Sequence, residues 1–290
     1  MADKKVKFRL KGHASFVLRE GWINKGIRAV YEDNNLFREK RSADVLGVGN
    51  NMVQSIRYWL KACNIIKEVP TIGAELTEFG DLIRQYDPCL EELFTIWILH
   101  CNLACNKDLA TTWYLFFNCC EVEELTRDEI FNQLQFEMKK YTNEAEYSVP
   151  SIRDDVMVLT HMYLKNRKKD YEPEDNNVCP LSLLELLSEN RDKYSKEQPN
   201  LSKLDRRVVY YQILAQMQNN SISIDSLMDN ENSVGKILNI NRVSLNRYLD
   251  ALASDGLITV TRTAGLDMIY KSNDMKPIDV LYNFYHNITN

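Results

Sequence analysis

The chain has 290 residues, of which 44% are hydrophobic and 27% charged. That length exceeds one ordinary domain, so two or three are expected, and the composition excludes disorder or low complexity as the main state. The formal charge of −5 conceals an asymmetry: residues 1–72 hold 14 Lys and Arg against 7 Asp and Glu, which makes the head +7 and the rest −12.

Phosphate attraction follows local rather than total charge, so a basic head on an acidic body remains compatible with nucleic acid. Scattered solvated lysines would account for "DKKVKFRLK" by itself. The start "MADKKVKFRLKG" lacks an apolar signal core, and no run approaches the roughly eighteen apolar residues of a membrane span. A cytoplasmic location with no membrane contact is the resulting expectation. Seven cysteines, an odd number, argue for reduced thiols rather than a disulfide framework.

In chain order, "GWINKGIRAVYEDN" sets Trp22, Ile23, Ile27 and Val30 on one helical face and predicts a helix over about 21–32. Ser42 before "ADVLGV" reads as the cap of a short second helix. Gly47 and Gly49-Asn50-Asn51 supply residues that tolerate a tight turn. Met52, Val53, Ile56, Trp59, Leu60 and Cys63 form the apolar stripe of a third helix. "IIKEVPTIGAEL" is rich in β-branched residues and broken by Pro70 and Gly73, which predicts a small hairpin, and "LTEFGDLIRQY" returns to helix. Helix, short helix, turn, helix and hairpin is the order of a winged helix-turn-helix.

The middle reads as a helical body. "DPCLEELFTIWILHCNLAC" predicts a buried helix behind an Asp-Pro start, and "LATTWYLFFNCC" is assigned to helix because its neighbours are helical. Thr126 and Glu129 form a capping box ahead of Ile130, Leu134 and Met138. "SIRDDVMVLTHMYLKN" predicts another helix, led by Pro150 and Ser151. "RKKDYEPEDNNVCP" reads as a polar connector and "KYSKEQPNLSK", at 193–203, as the main boundary. Beyond it, "DRRVVYYQILAQMQ" predicts an amphipathic helix and "SIDSLM" a second. A turn, a helix and a hairpin follow, its strands "LITVTRT" and "LDMIYK" flanking Ala264-Gly265. A shift of 192 residues lays Val53 on Leu245, Ile56 on Tyr248, Leu60 on Leu252, Ile65 on Leu257 and Ile66 on Ile258, so two copies of one pattern are expected. The resulting fold class is mainly α, with winged helix-turn-helix modules at both ends of a helical body: 1–85, 86–200 and 201–290.

A DNA-reading face needs side chains that hydrogen-bond base edges or phosphates. Asn50, Asn51, Gln54, Ser55, Arg57 and Lys61 meet that need in the first copy. In the second they are Asn241, Arg242, Ser244, Asn246 and Arg247, with Arg262 and Lys271 on the wing. Residues 236–271 hold five Lys and Arg against three Asp and Glu, a net of only +2, so the second copy is also a candidate for docking on a partner or on itself. The same polar faces would suit a protein-interaction platform. His13, Ser15, Arg19 and Lys25 form a further candidate phosphate or peptide site, set against core and capping roles for this glycine- and aromatic-rich stretch.

Cys101 and Cys105 share a helical face, and Cys119-Cys120 follow after His100, but no CxxC pair or second histidine accompanies them. Neither a metal nor another cofactor is expected. No phosphate loop, dinucleotide fingerprint, HExxH or GxSxG is present, and His13, His100, His161 and His286 have no evident nucleophile partner, so the chain is expected not to be an enzyme.

The stretches "FRLKGHASFVLREGWINKGIRAV", "TTWYLFFN" and "CPLSLLELL" resemble the recurring motifs of an uncharacterised bacterial family of about this length. The resemblance covers nearly the whole chain. It implies a genomic context beside phosphoadenosine-phosphosulfate-reductase-like proteins, linked to DNA phosphorothioation and phage defence, and it supplies no catalytic residues. With the basic head, it leads to the expectation of a subunit that binds double-stranded DNA for recognition or accessory purposes. The alternatives are an adaptor that holds a sulfur-transfer or nuclease partner or forms a homodimer, and a transcriptional regulator of its own operon.

Overall fold

The computed structural model describes residues 6–143, 145–164, 178–263 and 266–288. Of the polar connector at 167–180, residues 167–177 lie outside the described residues, as does the Ala264-Gly265 turn; its last residue, Pro180, opens a 3-10 turn. The chain is mainly helical and divides into two compact units, Met1–Glu197 and Gln198–Asn290.

The first unit opens with α1 (Trp22–Glu32), a 3-10 turn (Leu36–Arg38), α2 (Ser42–Leu46), α3 (Asn50–Ala62) and an antiparallel hairpin, β1 (Ile66–Val69) with β2 (Gly73–Leu76). α4 (Glu78–Tyr86), α5 (Leu93–Ala104), α6 (Thr111–Cys119), α7 (Arg127–Tyr141) and α8 (Val149–Tyr163) follow. A second 3-10 turn (Pro180–Leu184) and the hairpin of β3 (Leu187–Asn190) and β4 (Lys193–Lys196) complete it. Residues expected to separate into a head and a middle domain thus belong to one unit. Its α5 and α6 are buried on nearly every side, as helices apolar all round should be.

Local expectations are met with instructive exceptions. The Thr126–Glu129 capping box closes the start of α7, and Gly47 takes the left-handed turn at φ 62, which glycine adopts without strain. Ser42 is not a cap: it is already helical, and its buried hydroxyl donates to the carbonyl of Leu36 at 2.7 Å. α5 starts at Leu93 rather than at Asp87-Pro88, because the Asp87 carboxylate accepts from the Glu91 and Glu92 amides ahead of the helix. The stretch 193–203, read as the main boundary, contains the division between the two units, although its first four residues form β4.

The second unit comprises α9 (Arg206–Gln216), β5 (Ser221–Ser223), α10 (Ile224–Asp229), α11 (Val234–Ile237), α12 (Arg242–Ser254), β6 (Ile258–Thr263), β7 (Leu266–Lys271) and α13 (Pro277–Ile288). Its sheet runs β5-β7-β6, so the expected hairpin gains a third strand. The 192-residue repeat is visible in the elements: α12 begins and ends 192 residues after α3, and β6 begins 192 after β1. Leu245, Leu249 and Leu252 line the α12 core face as Val53, Ile56 and Leu60 line that of α3.

One buried polar cluster ties the first unit together. His13 and Asp155 are 0% and 1% exposed, and the Nε2 of His13 lies 2.7 Å from the Asp155 carboxylate. The backbone amide of Ser15 donates to Nδ1 at 3.0 Å, so the ring hydrogen sits on Nε2 and donates to Asp155. Thr112 of α6 and the Lys11 amide donate to the same carboxylate at 2.5 and 2.9 Å. The imidazole stacks on Trp59 of α3, with centroids 5.6 Å apart, and meets Trp113 of α6 edge-on. Removing one partner of a buried pair costs about 3–5 kcal/mol. Asp155→Ala is expected to lower the stability of this unit by that amount in denaturant unfolding; a change under about 1 kcal/mol would show that the cluster does not hold it together.

Candidate nucleic-acid interface

Burial of Val53, Ile56, Trp59 and Leu60 leaves α3 a narrow outward stripe of Asn50, Gln54, Arg57 and Lys61, spaced by one helical turn, with Asn51 beside it. Asn50, Asn51 and Gln54 are exposed. Arg57 and Lys61 are half-buried and both reach Glu68 on β1, at 2.5 and 2.7 Å. Burial acts to raise the Glu68 carboxyl, but the hydrogen bonds from Lys61 and Arg57 outweigh it and hold the group below its ordinary value. The clamp is therefore complete above the ordinary carboxylate pKa and is lost as pH falls through the lowered folded one.

Arg38, absent from the sequence reading, joins this face. Its guanidinium donates to the carbonyls of Val69 and Pro70 at 3.1 and 2.8 Å, and it lines a cavity of about 250 Å³ with Arg57 and Glu68. The hairpin is seated by Gly73, at φ 110, where a Cβ would fall 2.2 Å from the carbonyl oxygen of Asn34. Nothing in the local sequence marks Arg38; only the docking of the hairpin against the end of α1 makes its carbonyls available.

Ser55 does not belong to the outward face. It is fully buried and its hydroxyl has no hydrogen-bond partner among the described residues, because position 55 falls on the packed flank next to Ile56.

In the second unit the candidate residues are more occupied. Asn241 caps α12, accepting from the Ser244 amide at 2.8 Å. Ser244 is 5% exposed, so it lies on the packed side rather than the free one. Arg242 pairs with Asp225 and, at 3.5 Å, with Asp267, and Arg262 pairs with Asp250 at 2.7 Å. The side-chain oxygen of Asn246 is buried without a partner among the described residues. Arg247 is exposed and makes no ion pair or hydrogen bond among the described residues, and Lys271 is half-exposed at the end of β7.

The second sequence-predicted site does not assemble. His13 is turned into the core with both ring nitrogens engaged, which leaves it nothing to offer a phosphate or peptide. Ser15 is exposed, the guanidinium of Arg19 stacks between Phe16 and Trp22, and Lys25 reaches the carbonyl of Leu46 at 3.4 Å.

Among the described residues no three His, Cys, Asp or Glu side chains converge to hold a metal ion, and no helix is long and apolar enough to cross a membrane. Burial raises the Cys63 and Cys101 thiols and pushes those of Cys120 and Cys179 up to about 12, which keeps them protonated and weakly nucleophilic at neutral pH.

A family model described as "Protein of unknown function (DUF4007)" matches residues 10–285. The chain belongs to this family. No curated relative matches the sequence. Two solved structures share the fold. A magnesium ion-bound crystal structure of SspB aligns with a TM-score of 0.81 at 22% identity, covering 96% of this chain and 88% of that one. Another SspB crystal structure aligns with a TM-score of 0.82, also at 22% identity, covering 98% and 90%. At that identity the likeness is one of fold.

Leaving a buried hydroxyl unsatisfied costs about 1–3 kcal/mol. Ser55→Ala is therefore expected to keep or raise the melting temperature, whereas a drop would place a hydrogen-bond partner at this hydroxyl.

Proposed function

We propose that this protein is a DNA-binding recognition or accessory subunit of a bacterial DNA-modification or phage-defence system, of the phosphorothioation type. In this reading α1–α3 with β1–β2, and the later set ending in α12 with β6–β7, are winged helix-turn-helix modules. The first is the principal contact with duplex DNA. The observation that carries the reading is the α3 stripe of Asn50, Gln54, Arg57 and Lys61 beside a hairpin that also presents Arg38. The basic residue balance of 1–72 supports it, as do the family motifs and the fold shared with SspB.

The Glu68 clamp fits such a role. Exposed ion pairs are worth up to about 1 kcal/mol, so a phosphate can displace Glu68 from Arg57 and Lys61 without disrupting the fold. Asn50, Asn51 and Gln54 at the start of α3 are then free for base edges, where Asn and Gln pair bidentately with adenine.

The second unit favours a protein-directed role. Residues 198–290 hold nine Lys and Arg against nine Asp and Glu, and two of its candidate arginines are paired with carboxylates. We assign to it docking on a protein partner, a phosphosulfate-reductase-like protein or a second copy of this chain. The role proposed for the whole chain is non-catalytic.

Electrophoretic mobility shift with duplex DNA tests the reading. Binding should weaken steeply with salt, be abolished by Arg57→Glu with Lys61→Glu, and strengthen about two- to fivefold in Glu68→Gln, the factor that corresponds to an ion pair of up to about 1 kcal/mol. No shift at low salt, or an unchanged one in the double variant, overturns the DNA reading. Strand breaks accumulating in the bound duplex on addition of magnesium overturn its non-catalytic part.

A further inference from the structure

The second unit carries a groove of about 760 Å³ between the start of α9 and one flank of α12, a volume typical of small-molecule sites. Leu201, Leu204, Ala251 and Leu257 line it together with Tyr248 and form its apolar part. The Tyr248 hydroxyl is fixed by the carbonyls of Leu201 and Leu204 at 3.0 and 3.1 Å. That anchoring leaves the ring, rather than its hydroxyl, as the feature a ligand meets.

Three arginines line the groove as well. Arg206 pairs with Asp255 at 2.8 Å and Arg207 with Asp205 at 2.5 Å, and both carboxylates line the same groove. Of the three, Arg247 has no carboxylate partner among the described residues. Three positive and two negative groups leave one net positive charge, concentrated on a side chain whose planar fork matches a phosphate. Ser244 lines the same groove, its hydroxyl donating to the side-chain oxygen of Gln198 at 3.4 Å.

We propose that this groove binds a nucleotide through its phosphate, either as a free nucleoside monophosphate or as the phosphorylated end of a single strand. Arg247 takes the phosphate, and the base lies on the apolar part formed by Tyr248 and its leucines, since aromatic rings stack on any base. One unpaired guanidinium suits a single phosphate rather than the many of a duplex, and the two ion-paired aspartates keep oxygens that can accept hydrogen bonds from sugar hydroxyls or base amino groups. A partner helix is a poorer fit: helix-in-groove recognition needs a row of apolar anchors at i, i+3 or i+4 and i+7, whereas three arginines and two aspartates stand among the apolar residues of this groove. The site is separate from the α3 stripe, so it stands or falls independently of duplex binding.

Isothermal titration calorimetry on the full chain tests the proposal with deoxyadenosine monophosphate, deoxyadenosine, inorganic phosphate, and a pentathymidylate with and without a 5′-phosphate. The monophosphate or the phosphorylated strand should bind at or below about 1 mM, more tightly than either deoxyadenosine or inorganic phosphate. Whichever of the two binds more tightly identifies the source of the phosphate. Arg247→Ala should weaken that binding about tenfold, the loss of one charge-assisted hydrogen-bonding group. Arg247→Lys should recover part of it, and Lys276→Ala, an equal change of charge elsewhere on the unit, should leave it unchanged. Arg247 is exposed, so circular dichroism should show each variant folded. The proposal is overturned if neither phosphorylated probe gives heat, if deoxyadenosine or inorganic phosphate binds equally well, or if Arg247→Ala binds as the parent does.

Discussion

The single carboxylate of Asp155 organises the first unit. It lies on α8 yet accepts from His13 and the Lys11 amide of the leading segment and from Thr112 of α6, so three stretches far apart in sequence meet on one buried charge. A lone buried carboxylate is costly, and three donors are what make it tolerable. The leading segment is correspondingly contorted: Lys11, Ala14 and Ser15 all adopt positive φ, which side-chain-bearing residues reach only when surrounding contacts over-determine them. The side chain of Trp59 stacks on the same imidazole and donates to the carbonyl of Phe16. The orientation of α3, and hence which residues are left to face outward, descends from this cluster.

With α3 fixed by Trp59, its surface chemistry is decided at the margin of burial. Only the stripe from Asn50 to Lys61 escapes the core, and its basic half is held by Glu68. Arg57 and Lys61 lose side-chain freedom in the folded protein whether or not a ligand is bound. A polyanion that replaced Glu68 would meet side chains already ordered, so less of its binding free energy would go into immobilising them. The cost is competition from the carboxylate, modest because the pair is partly solvated.

Much of the fold was legible from periodicity and punctuation. Helical stripes, the Thr126–Glu129 box, the Gly47 turn and both hairpins rest on contacts a few residues apart, and the 192-residue shift was visible because two helix-strand boundaries repeat their apolar spacing. What escaped depends on distance. "RDD" at 153–155 reads as a charged helix surface until His13, 142 residues earlier, is known to lie against it. His13 and its neighbours leave a ligand site and a core role both open for the same reason: the residue types that bind phosphate are also those that satisfy a buried carboxylate, and burial of His13 takes it to the core. Ser55 and Ser244 were assigned by residue type to a face from which the helix rotation removes them, and Arg38 acquired its role from the hairpin's carbonyls.

The two copies of the pattern also separate scaffold from function. α3 and α12 share length, apolar register and the strand that follows, yet their free cations point to different chemistry. In the first copy basic side chains gather on the helix stripe and the hairpin base around one carboxylate. In the second, Arg242 and Arg262 are each matched by acids, and the unmatched Arg247 lies on the flank that faces α9. The apolar repeat is enforced by core packing, which tolerates few exchanges, whereas the exposed positions on either helix are unconstrained by the fold. A repeated architecture therefore licenses no repeated ligand. The residues that discriminate the copies are the carboxylates, Glu68 against Asp225, Asp250 and Asp267, because they determine which guanidiniums remain available to an anion.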